Sequence, residues 1–73
     1  MKVNKTQALL FMYELLLTKG SITKEEVLSE IEINDLTFLR YIQELRAYLF
    51  NFNNKAELLY SNKDKKYLFV KEI

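Results

Sequence analysis

Arg40 and Gln43 lie three residues apart in a stretch of helical periodicity. Both side chains can read base edges in the DNA major groove, arginine by pairing with guanine and glutamine with adenine. The bland alternative is a solvated helix face, since such faces carry polar residues in any protein. Lys63, Lys65 and Lys66 cluster in a second polar segment, suited to lie along a phosphate backbone or minor groove. Charged residues at a hairpin tip also blunt strand edges against unwanted pairing. Lys24 and Thr37 could each add a phosphate contact. Glu25, Glu26, Glu30 and Glu32 could form an acid-base pair or a hard-metal site, but nothing in their spacing brings them together in a water-excluding pocket.

The residues that are absent narrow the chemistry further. With no His and no Cys, the chain lacks imidazole acid-base groups, thiolate nucleophiles, His- or Cys-ligated zinc and disulfides. No catalytic residue, metal site or cofactor is therefore expected, and the chain reads as a binding module rather than an enzyme.

Two helix starts about a dozen residues apart would position the candidate residues. Thr23 and Glu26 form a capping box, with Ile22 and Val27 as its hydrophobic staple. Asn34 repeats the device as an N-cap, with Ile33 and Phe38 at the staple positions. That spacing predicts a helix-turn-helix, with helix 2 at about 24–31 and helix 3 at about 35–48. Val27, Leu28 and Ile31 should point inward from helix 2, and Phe38, Ile42, Leu45 and Leu49 from helix 3, with Tyr41 and Tyr48 alongside. Arg40, Gln43, Leu36 and Ala47, with Leu39 beside them, then make the outward face of helix 3.

Upstream, Asn4 and Gln7 cap a helix 1 of about 5–18, and Gly20 suits its C-terminal stop. Leu9, Tyr13, Leu16 and Leu17 share one face of this helix. Its polar strip is only Gln7, Glu14 and Thr18, so one small core will not cover all its apolar residues. Phe11 and Leu15, which flank that strip, either wrap into the domain or meet a dimer or other partner. Downstream of a polar break at 51–55, two segments rich in Leu, Tyr, Phe and Val bracket Asn62-Lys63-Asp64-Lys65, which predicts a β-hairpin over about 57–71. Without glycine the tip should be a four- or five-residue loop, with Asn62 or Asp64 in any left-handed position.

At 73 residues the chain is sized for one small domain, and one Gly, no Pro and 49% hydrophobic residues argue for a folded one. The net charge of +1 is far from the strongly basic balance of many nucleic-acid binders, so any positive patch must be local. From Lys24 to Asp35, five carboxylates face one lysine, a local balance of −4 that would repel phosphates. The apolar run 8–17 is interrupted by Glu14 and too short to span a bilayer, so a cytoplasmic protein without membrane contact is expected.

Three helices followed by a hairpin is the winged helix-turn-helix order, a mostly α fold (α+β) with a two-stranded wing. The chain resembles the N-terminal domains of DeoR-type and WYL-type bacterial transcriptional regulators. Lys5-Thr6-Gln7 matches the family's start of helix 1. Ser21-Ile22-Thr23 with Glu26 matches the entry to helix 2, and the stretch from Ile33-Asn34 to Arg46 matches the recognition helix. The resemblance implies a DNA-binding role, with Asn34, Thr37 and Arg40 at matching positions. The two family residues after the cap are usually basic and are here Asp35 and Leu36, and the family's Asp after the Arg is Tyr41. Asp35 can still accept from a cytosine amino group, and Leu36 can touch a thymine methyl. In WYL-type regulators a sensor domain follows, so the chain reads either as part of a longer regulator or as a small DNA-binding protein.

The leading expectation is a double-stranded DNA-binding domain, working as a homodimer, with helix 3 in the major groove and the wing on the backbone or minor groove. Its expected contacts are Lys24, Asn34, Leu36, Thr37, Arg40, Gln43, Lys63, Lys65 and Lys66. The alternative is a winged helix turned to a protein partner, through acidic helix 2 and the exposed Leu36 and Leu39. Either helix 1 or the tail after Val70 could make the dimer.

Overall fold

A computed structural model describes residues 1–53 and 55–71. The chain runs α1 (Lys5–Lys19), β1 (Ser21–Ile22), α2 (Lys24–Glu30), α3 (Asp35–Phe52), β2 (Ala56–Ser61) and β3 (Lys66–Lys71). Each helix begins on the side chain that the sequence offers for it. Asn4 accepts from the Gln7 N–H, Thr23 and Glu26 close a reciprocal capping box, and Asn34 accepts from the Thr37 N–H. Gly20 ends α1 in the left-handed region at φ 79°, and its N–H returns to the Leu16 carbonyl.

The sheet has three antiparallel strands in the order β1-β3-β2, which corrects the expected two-stranded wing. The third strand follows from the two helix boundaries that flank it. Gly20 turns the chain out of α1, and the Thr23 cap holds an extended backbone at φ −110°, ψ 156°. The short link between them is drawn out straight, and β3 pairs its backbone groups. Ser21 lies opposite Leu68 and Ile22 opposite Tyr67, and the Phe69 N–H donates to the Gly20 carbonyl at 2.9 Å. A two-residue strand is too short to leave a periodicity in the sequence.

α3 runs to Phe52, four residues beyond its expected end, and takes Asn51 out of the anticipated polar break. No Gly or Pro interrupts it. Leu49 stays buried, Phe52 packs on Tyr48 with ring centroids 5.3 Å apart, and the Asn53 N–H closes the last turn on the Leu49 carbonyl. Residue 54, within the expected break, lies outside the described residues, as does the tail beyond Lys71.

The hairpin loop is four residues long, but Lys65 rather than Asn62 or Asp64 takes the positive φ, at 56°. Ser61 explains the difference. Its carbonyl accepts from the Lys65 N–H at 2.7 Å and its hydroxyl from the Asp64 N–H at 3.1 Å, so the loop coils tightly. The reversal into β3 then falls on its last residue.

The core is one cluster. α1 supplies Ala8, Met12 and Leu16, β1 supplies Ile22, α2 supplies Val27, and Ile31 follows it. Phe38, Ile42, Leu45 and Leu49 line the buried side of α3, and Ala56 and Leu58 close the cluster from β2. Tyr67 and Phe69 bring β3 onto it edge-on, against Phe38 at 5.7 Å and Tyr13 at 6.2 Å between ring centroids. Leu17 leaves the face assigned to it and is half exposed. The buried residues of α1 repeat every fourth position, and Leu17 sits more than a quarter turn beyond Leu16. No helix among the described residues is long and apolar enough to cross a membrane.

Candidate nucleic-acid interface

The outward side of α3 is built from its first cap onward. The Asn34 side chain is spent on the Thr37 N–H at 2.8 Å, which fixes where the helix starts. Asn34 is therefore a positioning residue here. Thr37, Arg40 and Gln43 line one shallow depression together with Lys5, Tyr41 and Glu44. Arg40 and Gln43 are both exposed, and their side chains make no hydrogen bond or ion pair among the described residues.

The freedom of Arg40 has a structural cause. Glu44 stands one turn further along α3, the spacing at which a carboxylate pairs with an arginine on the same helix. Lys5 of α1 takes that carboxylate instead. The hydrogen bond to Glu44, reinforced by its charge, raises the Lys5 pKa above its ordinary value. Arg40 is left to the solvent. Glu44 is legible from the sequence as the next turn's carboxylate, but its capture by Lys5 depends on how α1 crosses α3, and no local pattern encodes that.

The other candidate cations divide into two sets. Lys24 donates to Asp35 at 3.2 Å, an exposed pair that links the starts of α2 and α3. Such a pair contributes little in water, and a phosphate can compete for the lysine. The register of β1 on β3 carries Lys66 towards the start of α2, where its charge helps hold the Glu26 carboxylate ionised. Lys63 and Lys65 are exposed in the loop and lie outside the three ion pairs of the described residues. Leu36 and Leu39 are 58% and 47% exposed beside Arg40, so the surface is apolar as well as polar.

Two residues outside the expected set join the hairpin to α3. Arg46 donates from Nε to the Leu58 carbonyl at 3.1 Å, and its guanidinium lies over the Tyr67 ring at 5.9 Å. Tyr67 also packs on Tyr60 with centroids 4.8 Å apart, so the strands leading to the loop are braced against the helix. Phe11 and Leu15 are partly buried against the core, in the depressions between α1 and α2. The exposed apolar residues of α1 are Leu10 and Leu17. The carboxylates of α2 do not converge with others into a metal-binding group among the described residues.

No protein-family model, curated protein or solved structure matches the chain.

Proposed function

We propose that this chain is a winged helix-turn-helix domain that binds double-stranded DNA, with α3 in the major groove and the β2–β3 loop on the backbone or minor groove. The observation that carries the reading is the pair Arg40 and Gln43, exposed and unpaired on the outer side of a helix whose start is fixed by the Asn34 cap. The helical order, the short β1 strand and the braced hairpin support it. Arg40 is assigned to base readout and Gln43 to the neighbouring base, with Thr37, Lys24, Lys63, Lys65 and Lys66 on phosphates and Leu36 on a thymine methyl. The domain belongs, on this reading, to a cytoplasmic transcriptional regulator of the bacterial type.

The test is an NMR titration of the labelled protein with mixed-sequence duplex at low and moderate salt. Salt-sensitive shifts confined to residues 34–43 and 62–66 are expected. With a selected site in hand, Arg40→Ala should lower affinity for that site by about 1–3 kcal/mol and leave random duplex little changed. Lys65→Ala should weaken both equally and reduce the salt slope by about one charge. Equal losses for both variants on every sequence would reject base readout by Arg40.

The exposure of Leu36 and Leu39, next to a helix with five nearby carboxylates, favours one other reading. In it, the same face and α2 receive a basic or apolar protein partner. Absence of any shift with duplex at low salt would select it.

A further inference from the structure

We propose that the side of α1 facing away from the core, together with the adjoining last turns of α3, is the surface through which two copies of this chain associate. The proposal goes beyond the DNA-binding reading and stands without it.

Helix α1 is apolar nearly all round, and its own domain buries the side carrying Ala8, Met12 and Leu16 and partly covers Leu9, Phe11, Tyr13 and Leu15, which leaves Leu10 and Leu17 open. Leu10 and Leu17, one heptad apart, lie almost half a turn from that side and are 63% and 51% exposed. Tyr13 sits between them at the spacing of a coiled-coil seam. A helix apolar on opposite sides is one that is covered on both. The exposed stripe continues onto α3. The Tyr13 ring meets Tyr48 edge-on at 5.7 Å, so Leu10, Tyr13 and Tyr48 line one groove between the helices; Phe52 packs on Tyr48 beside it, and Leu17 extends the α1 side by one heptad from Leu10.

The occupant is argued from area and charge. Tyr48 is 46% and Phe52 77% exposed. With Leu10 and Leu17 they leave on the order of 400 Å² of apolar surface, taking side chains of roughly 150–200 Å² each. A standard partner surface of about 800 Å² carries about 500 Å² of apolar area. Half-buried Leu9 and Tyr13, lying in the same groove, supply most of the remainder. Among the described residues, Glu44 is the one charged residue lining the groove, and Lys5 already holds it. The groove itself thus offers a charged partner little to recognise, and the exposed Glu14 beside Leu10 falls at the polar rim of the stripe. A two-fold axis over α1 lets the same stripe serve both subunits.

The experiment is sedimentation of the full chain over a wide concentration range, for the wild type, Leu10→Glu, Phe52→Ser and the control Leu36→Glu. The wild type should sediment at twice the 8.8 kDa chain mass. Leu10→Glu should sediment as a single chain and retain the dispersed NMR spectrum of the folded domain, because position 10 is remote from the core. Phe52→Ser should weaken association at least tenfold, and Leu36→Glu should leave it unchanged. A wild type that stays a single chain at every concentration overturns the proposal, as does a Leu10→Glu variant that remains a dimer. Duplex titration of the same samples separates the two readings. A single chain that still responds to duplex sinks the association surface alone, and a dimer that ignores duplex sinks the DNA reading alone.

Discussion

The two ends of α3 present opposite chemistry on one continuous helix. In its first half the outward positions carry Arg40 and Gln43, free in water, beside an Asp35 already paired with Lys24. In its last turns the large exposed side chains are the aromatics Tyr48, Phe50 and Phe52, the phenylalanines at 81% and 77% exposure, with Asn51 among them. The buried strip beneath is the same throughout, from Phe38 to Leu49. The core thus accounts for one side of the helix from end to end and for neither outer surface. Polar side chains that keep their water suit a hydrated, charged partner such as DNA, which is bound through ordered waters and released counterions. Bare aromatic rings suit a partner that excludes water. The difference teaches that α3 is built in two segments, and on the proposed readings each segment meets its own kind of neighbour.

The strongest challenge to this comparison asks whether the halves share one fold. Phe38→Ala and Leu49→Ala each remove a fully buried side chain, one under each segment, and should destabilise by about 3–5 and about 2–5 kcal/mol respectively. Urea unfolding should stay a single transition in both variants, because one core cluster joins the segments. If Leu49→Ala instead accelerates amide exchange only over the last turns of α3, the two halves are separate cooperative units.

A smaller change separates the segments through the hairpin. Arg46→Met keeps a long apolar stem but withdraws the hydrogen bond to the Leu58 carbonyl and the cation over Tyr67. The expected loss is about 1–2 kcal/mol, with chemical-shift changes along β2 and β3 and little change at residues 34–40. Shifts that spread equally to residues 34–40 would mean that Arg46 braces the whole helix. Asn34→Ala should cost about 1 kcal/mol, and Asn34→Asp should restore it, because either oxygen can take the Thr37 N–H. Failure of the Asp variant to restore stability would deny the cap its role.

What the sequence disclosed follows the range of the forces involved. The caps at Asn4, Thr23 and Asn34, the glycine stop and the inward strip of α3 are set by neighbours within one or two turns, and each was legible residue by residue. The third strand was not, because Ser21 and Ile22 become a strand only when β3 arrives from forty-odd residues away. The same holds for Lys65, whose left-handed backbone is imposed by Ser61 against the preference for Asn or Asp. On the candidate interface, Arg40 and Gln43 were readable from helical spacing. The Lys24–Asp35 and Lys5–Glu44 pairs decide which charges remain free, and they depend on helix crossing. The excess of apolar residues on α1 was visible, but the side left open was not. Of the two alternatives for Phe11 and Leu15 the domain takes the first and packs both against its core, while Leu17, placed with Leu9, Tyr13 and Leu16, faces out instead.

The smallest expected effect is one that only a charged group can show. Glu26 holds together the end of α1, the start of α2 and the wing side of the sheet. Partial burial pushes its carboxyl pKa up, but the hydrogen bonds from Lys19 and from the Thr23 N–H, with the charges of Lys19 and Lys66, outweigh it. The net pKa lies below the ordinary 4.5. An unfolded chain then takes up this proton before the folded one does, so the contribution to stability is complete above pH 4.5 and is lost as pH falls through the folded value. Glu26→Gln keeps an acceptor for the Thr23 N–H and removes only the charge. Its urea midpoint should fall below wild type at neutral pH and converge with it in acid, where Glu26 is itself neutral. No comparable convergence is expected for Phe52→Ala, whose side chain carries no ionisable group. A gap between wild type and Glu26→Gln that persists at acid pH would show that the side chain acts through its shape and hydrogen bonds rather than through its charge.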